Sequence, residues 1–259
     1  MVKISAVVLT KNEEKNIERC LKSAAAISDE IIVVDSLSND RTVEIAKAYT
    51  DKIFLNPWPG FSEQRIFALT KTSHDWILWL DADEEAPPDL ADEIRTLDFD
   101  KDGYYIPRLV HYLGRWIRHC GWYPDYTLRL FNKNKGHFSN VLVHESFTVS
   151  GTTGKLKHPI RHYPYRNISH HLEKMNVYTD LSALQKQRKG KATTIASALF
   201  HSFFRFFKMY LLKRGFLDGG PGLVVSVLGS VYVFLKYIKQ WELQGRKDHP
   251  AAVDQDQGV

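Results

Sequence analysis

A chain of 259 residues that is 44% hydrophobic and 25% charged can bury a sizeable core, which excludes wholesale disorder. Its two cysteines, Cys20 and Cys120, exclude a disulfide framework and fit a reducing, cytoplasmic setting. The net charge of +5 is unevenly spread: the stretch from Lys155 to Arg214 holds 13 Lys and Arg against 2 Asp and Glu, so an acidic front and a basic rear face different partners.

The opening MVKISAVVLTKNEE has too short an apolar run, and no small-residue cleavage site, to read as a signal peptide. Within it ISAVVL (4–9) is a β-branched run suited to a strand buried on both faces. Asn12 is the expected N-cap of a helix carrying Ile17, Cys20, Leu21, Ala24 and Ala25 at helical spacing. EIIVVD (30–35) predicts a second strand, and SLSND turns the chain into a helix with Val43, Ala46 and Ala48. KIFL (52–55) predicts a third strand, Ser62 to Lys71 a helix, and WILWLD (76–81) a fourth strand. Pro87 and Pro88 suit the first turn of a helix that shares Leu90, Ile94 and Leu97 on one face. Beyond residue 100, stretches 103–114, 127–131 and 141–149 read as strands with aromatic and basic decoration. From Ile168 the chain reads helical, with Leu172, Met175, Tyr178 and Leu181 on one stripe, followed by a Phe-rich helical stretch at 193–213.

Strands alternating with helices predict an α/β fold with a mainly parallel sheet flanked by helices, where ligands bind beyond the carboxyl ends of the strands. Polar clusters follow strands one, two and four, at Thr10–Glu14, Asp35–Asp40 and Asp81–Glu85, so all three should meet along one edge. Asp81 and Asp83 form a D-x-D whose hard oxygens suit Mg²⁺ or Mn²⁺ completed by a diphosphate; in an extended stretch both side chains point the same way. The competing reading is an acidic loop that caps the helix at Pro87, the role expected of Glu84 and Glu85. Asp35 can accept from a base N–H or a ribose hydroxyl, or be an ordinary turn residue. Neither G-x-G-x-x-G nor a P-loop is present, so phosphates would be held by metal and cationic side chains.

VVLTKNEE, VVDSLSNDRT and WLDADEE, about 25 and then about 46 residues apart, resemble the family 2 glycosyltransferases, which carry the GT-A (Rossmann-like) fold. GWYPDYTLRLF, VHES, HYPYRNISHHLEKMNVYT and GFLDGGPGL extend the likeness to about residue 243 and resemble the lipopolysaccharide-core glucosyltransferase branch (WaaE/KdtX-like). That resemblance implies a nucleotide pocket lined by Thr10, Asn12, Glu14 and Asp35, with Asp35 near uracil and further contacts from Gln64 and Arg65. It places Asp81 by the ribose, Asp83 on the metal, and His162 where a late histidine reaches metal or diphosphate. It implies an inverting transfer with one general base, Glu145 first and Asp125 second. Arg129 would pair with such a carboxylate or contact a phosphate. Trp116, Trp122 and Tyr123 would stack on sugars or belong to the core.

The expected organisation is a catalytic domain over 1–165, a helical, basic and aromatic region over 166–243, and a disordered tail over 244–259. The apolar run Gly222–Leu235 is 14 residues long, short of the roughly 20 that span a bilayer. It reads as a buried helix, a re-entrant segment or an interfacial hairpin on anionic headgroups, or else as a homo-oligomer interface. Nucleic acid is not an expected partner. The function implied is transfer of a hexose, glucose from UDP-glucose, onto a lipid-linked glycan such as the lipopolysaccharide inner core, at the inner face of the cytoplasmic membrane. The rivals are a polyprenyl-phosphate glycosyltransferase, whose anionic acceptor needs no strong base, and a catalytically silent membrane-bound binding protein.

Overall fold

A computed structural model describes residues 2–138, 147–190 and 192–248. The chain divides into two compact units: the first takes residues up to His111 and Tyr123–Pro164, the second Tyr112–Trp122 and the chain from Tyr165 on.

The first unit is built on β1 (Ile4–Thr10), β2 (Glu30–Asp35), β3 (Ile53–Leu55) and β4 (Trp76–Asp81), ordered β3-β2-β1-β4 and all parallel. Helices α1 (Ile17–Ala25), α2 (Thr42–Ala46), α3 (Phe61–Leu69) and α4 (Pro88–Arg95) connect or follow them, with the two-residue β5 (Glu84–Glu85) between β4 and α4. Alternation along each strand divides the core in two. Ala6, Val8, Leu78 and Leu80 share one cluster with Cys20 and Leu21 of α1 and Ile94 of α4. Val7, Ile32, Ile77 and Trp79 share the other with Ala68 of α3.

The sheet is mainly parallel, as expected, and antiparallel strands added beyond β4 make it mixed. β6 (Gly103–Tyr112), β7 (Arg115–Ile117, in the second unit), β8 (Asp125–Asn132), β9 (Gly136–Phe138), β10 (Phe147–Val149), β11 (Thr153–Lys155) and β12 (Ile160–His162) follow. β8 lies antiparallel against β4, β6 antiparallel against β8, β12 parallel to β6, and β5 antiparallel to β12, while β9 and β10 form a separate antiparallel pair. The register of β8 against β6 slips: Tyr104 faces Leu130, but Tyr105 faces Leu128. Arg129 is thus the extra residue of a β-bulge, and the phase of the strand changes there. Leu130 joins the α1/α4 side of the core, and Leu128 joins the α3 side together with Phe131.

In the second unit α5 (Ile168–Arg188), α6 (Ile195–Phe207), a π-helical turn (Lys208–Leu212), a 3₁₀ turn (Gly215–Asp218) and α7 (Gly219–Asp248) follow one another. The buried stripe of α5 is His171, Met175, Thr179 and Ala183, whereas Leu172, Tyr178 and Leu181 are exposed, so only Met175 of the expected stripe faces inward. α7 also runs further than its apolar composition implied. It passes Lys236 and Lys239, both good helix formers, and the Lys239 ammonium is held by Asp180, Asn176 and Thr179 of α5 at 2.7–3.0 Å. Gly215–Gly245 is consequently long and apolar enough to cross a membrane by length and composition, with 17% of its most apolar stretch buried. The expected disordered tail begins at 244, yet the helix continues to Asp248; residues 249–259 lie outside the described part.

Candidate active site

The parallel register fixes where the polar ends of the strands arrive. Thr10 at the end of β1 is level with Asp35 of β2, and Leu9 is level with Asp81 of β4. The three clusters therefore do share one edge. The loops after β1 and β2 are laced together: Asn12 Oδ1 accepts from the Asn39 N–H at 2.9 Å, and the Asn12 N–H donates to Ser38 Oγ at 2.8 Å. Asn12 takes a left-handed φ of 56° to do this and is not the N-cap of α1, a position held by Asn16. Asp35 is fully buried and accepts from the backbone N–H and the hydroxyl of Ser38.

A cleft of about 200 Å³ at this edge is lined by Thr10, Arg65, Asp81 and Asp83, together with Lys11, Glu13, Ser36 and Trp58. Four of the expected site residues thus meet there. Four others do not line it. Asn12 and Glu14 are exposed and turned to the β2–α2 loop, where Glu14 accepts from the Arg41 N–H at 3.3 Å. Gln64, fully buried, binds Asn56 and Ser36 from beneath, so it supports a lining residue, and Asp35 precedes Ser36 in the chain. Glu13, which sequence reasoning passed over for Glu14, takes the lining position.

The D-x-D is not extended. The chain turns at Ala82 and Asp83, which brings Glu84 back under Asp81 so that its carboxylate accepts the Asp81 N–H at 3.0 Å. Glu84 is therefore no helix cap; α4 starts from Pro87 with no side-chain cap. Glu85 instead accepts from the Tyr163 hydroxyl at 2.8 Å. β12 pins the turn from the other side, with the Tyr163 N–H donating to the Asp83 carbonyl at 2.9 Å. That pairing sets His162 Nε2 3.5 Å from Asp83 Oδ2, and leaves His162 Nδ1 buried without a hydrogen-bond partner.

Odd positions of β4 face α3, so Asp81 emerges on the side of Trp79 and Arg65, at the mouth of a second cavity of about 400 Å³. The bulge delivers Arg129 here. One guanidinium nitrogen, Nη2, donates to Asp81 Oδ2 and to Glu84 Oε1, both at 2.6 Å. Arg108 continues the ladder, lying 3.7 Å from Glu84 and donating through Nε and Nη2 to Asp125. Asp125 is accordingly ion-paired, and Arg129 partners neither Asp125 nor, among the described residues, any base candidate. Glu145 lies outside the described residues.

Charges so placed change proton affinities. Burial would raise the Asp81 carboxyl, but the charge and hydrogen bond of Arg129 outweigh it and hold Asp81 at about 2. Glu84 has no exposed surface; burial and the nearby Asp81 raise it against the pull of Arg129. The Arg129 guanidinium is raised: burial opposes its charge, and the two carboxylates more than restore it. Burial, then Glu84, Asp81 and Asp83, push the Cys20 thiol well up, so it is an inert packing group. Trp79 Nε1 and Thr127 Oγ1 line the larger cavity as buried polar atoms with no protein partner, and Thr10 Oγ1 does the same in the smaller cleft. Sequence reading missed Glu84 and Arg108. The signal for Glu84 was its place three residues after Asp81, the span of one turn.

Comparison with known proteins identifies the family. Residues 5–152 match the profile of Glycosyl transferase family 2. An uncharacterised glycosyltransferase of Rickettsia bellii is 34% identical, covering 98% of this chain and 91% of the relative. The lipopolysaccharide core biosynthesis glycosyltransferase LpsC of Rhizobium meliloti is 27% identical over 97% of this chain and 96% of its own. Among solved structures, glucosyl-3-phosphoglycerate synthase of Mycobacterium tuberculosis, in complex with Mn²⁺, UDP and glucosyl-3-phosphoglycerate, aligns at 27% identity and a TM-score of 0.34 over less than half of either chain. With the profile spanning more than half of its length, on a mixed α/β sheet flanked by helices in the GT-A manner, the chain belongs to glycosyltransferase family 2.

Proposed function

We propose that this glycosyltransferase is metal-dependent and inverting, and moves glucose from UDP-glucose to a lipid-linked glycan of the lipopolysaccharide inner-core type. The observation that carries the proposal is the convergence of Thr10, Arg65, Asp81 and Asp83 on one cleft, with His162 set against Asp83. No cluster of three or more His, Cys, Asp or Glu able to hold a metal exists among the described residues. A cation held there would be bound by few side chains and completed by a diphosphate. The orphaned Nδ1 of His162 fits a ring whose partners are incomplete in the protein alone. Asp83 and His162 would hold the ion, and it would offset the charge of the departing diphosphate.

Asp81 has one oxygen committed to Arg129, yet 38% of its side chain is exposed, which suits a ribose hydroxyl better than a metal. Asp35, Gln64, Asn12 and Glu14 support the loops around the nucleoside, and Asp35 remains our choice for the uracil. The acceptor hydroxyl attacks the anomeric carbon as the bond to the diphosphate breaks, and its proton passes to the base. We assign the base to Glu145. Phe147, two residues on, lines the larger cavity, whereas Asp125 is tied to Arg108 and is the poorer acceptor. The acceptor class draws support from the likeness to LpsC, and the donor from the resemblance of the later sequence blocks.

The second unit exposes Leu199, Phe200, Phe203, Phe204, Leu211 and Leu212, an apolar surface that suits the inner face of a cytoplasmic membrane. We read the contact as peripheral. The uninterrupted apolar run of α7, Gly222–Leu235, ends at Lys236 after 14 residues, short of the roughly 20 of a span. Calorimetry of UDP-glucose with Mn²⁺ or Mg²⁺ tests the donor site: binding should need the metal and vanish in Asp83→Ala. Unchanged metal-dependent binding in that variant overturns the assignment of Asp83.

A further inference from the structure

We propose that a cavity in the second unit, apart from the transfer site, binds the phosphate of an anionic lipid headgroup. The cavity, about 300 Å³, is lined by residues of α5, α6, the π-helical turn and α7 together with Trp122. Its volume is at the small end for ligand pockets and fits a headgroup better than a nucleotide-sugar. Arg205 and Lys236 both line it, and no lining residue is a carboxylate.

Neighbouring cations on the same helices are treated differently. Lys239, one turn from Lys236, is neutralised by Asp180 and capped by three further oxygens. Arg205 and Lys236 form no ion pair among the described residues. The other polar groups are already engaged. His171 Nδ1 meets the Tyr112 hydroxyl at 2.8 Å, and the Tyr232 hydroxyl meets Ser182 Oγ at 2.8 Å. Burial, with His170 and Lys174, keeps the His171 imidazole neutral by lowering it to about 4, so it adds no charge. What remains is two like charges turned to one space, which an anion between them would reconcile. Gly229 keeps that space open: a Cβ there would come within 2.5 Å of Met209 Sδ and 3.9 Å of Arg205 Nε.

The same unit also carries an exposed apolar surface outside the cavity lining, which favours an anion attached to a lipid. Phe203 and Phe200 on α6 are 70% and 66% exposed, and Leu212 after it is 59% exposed. A phosphate bearing hydrocarbon chains satisfies the cations and this apolar surface together, whereas a free phosphate satisfies the cations alone. The inference rests on the membrane placement proposed above and is independent of the transfer chemistry.

The test uses the full chain with vesicles of phosphatidylcholine, the same vesicles with phosphatidylglycerol added, and inorganic phosphate as the soluble probe. Arg205→Gln with Lys236→Gln is compared with Arg188→Gln and Lys189→Gln, a pair of exposed cations on and just after α5. The pocket pair should weaken binding to the phosphatidylglycerol vesicles roughly tenfold or more beyond the control pair, at about tenfold per 1.4 kcal/mol and about 1 kcal/mol per headgroup cation before burial strengthens it. Arg205→Lys with Lys236→Arg should restore most of the binding, and an unchanged thermal melt and helical circular dichroism in every variant show that the second unit is folded. Equal losses in both pairs would mean diffuse surface charge and overturn the site. Inorganic phosphate binding as tightly as the lipid would also overturn it, in favour of a soluble anion. Failure of the wild type to bind either vesicle removes the membrane placement too; equal binding of wild type and pocket variant removes the site alone.

Discussion

Replacing Arg129 by Met deletes the guanidinium that joins Asp81 to Glu84 while keeping most of the side-chain volume. Glu84 has no exposed surface, and its remaining cation, Arg108, is 3.7 Å away and shared with Asp125. Removing one partner of a buried pair typically costs about 3–5 kcal/mol, because the charge left behind is neither solvated nor paired. At about 2–4 °C per kcal/mol, the melting temperature should fall by roughly 6–20 °C. The pH dependence follows from the raised proton affinity of Glu84. A carboxyl whose folded pKa lies above its unfolded value is tolerated while protonated, and penalises folding as pH rises through the folded value. Loss of Arg129 raises Glu84 further, so the deficit of the variant should be largest near neutral pH and shrink as the pH falls through the folded value of Glu84. Glu84→Gln added to Arg129→Met should recover much of the loss and flatten the pH profile, since a neutral amide needs no counter-ion. Thermal melts of the four proteins over that pH range make the measurement. A deficit under about 1 kcal/mol that is independent of pH and indifferent to Glu84→Gln would refute the argument, since it would place the pair in the weak class of exposed ion pairs.

Glu145→Gln should lower the turnover of glycosyl transfer by about 10²–10⁴-fold with donor binding intact, while Asp125→Asn, which loses an ion pair to Arg108, should cost far less. Full turnover in both variants would favour an anionic acceptor, as in a polyprenyl-phosphate glycosyltransferase. Gly222→Ala should destabilise the second unit by about 1–3 kcal/mol or more. Its Cβ would fall 2.0 Å from the Gly215 carbonyl oxygen, which is backbone, and would crowd Asp218, the carboxylate that accepts from the Arg118 and His119 N–H groups. A melt indistinguishable from wild type would show that the 3₁₀ turn yields to the methyl group.

The sequence by itself determined the parallel half of the sheet and the edge where the site lies. Apart from Ser5 and Glu30 at their starts, the runs ISAVVL, EIIVVD and WILWLD are apolar with no polar alternation, so each must be buried on both faces and release its polar residues at its carboxyl end. It also determined the family, because three blocks in fixed order are a local property of the chain. What it left open depends on which residues meet across the fold. Glu84 read as a helix cap because nothing local shows that Ala82 and Asp83 turn the chain back. Arg129 read as a companion to a base because the bulge that re-aims it arises only when β8 is laid against β6. The apolar run Gly222–Leu235 read as short because nothing local shows that α7 continues well past it, to where Lys239 meets Asn176, Thr179 and Asp180, about 60 residues earlier in the chain. In each case one side chain's role was set by a partner distant in the chain, and burial of charge is stable only in company that the tertiary structure supplies.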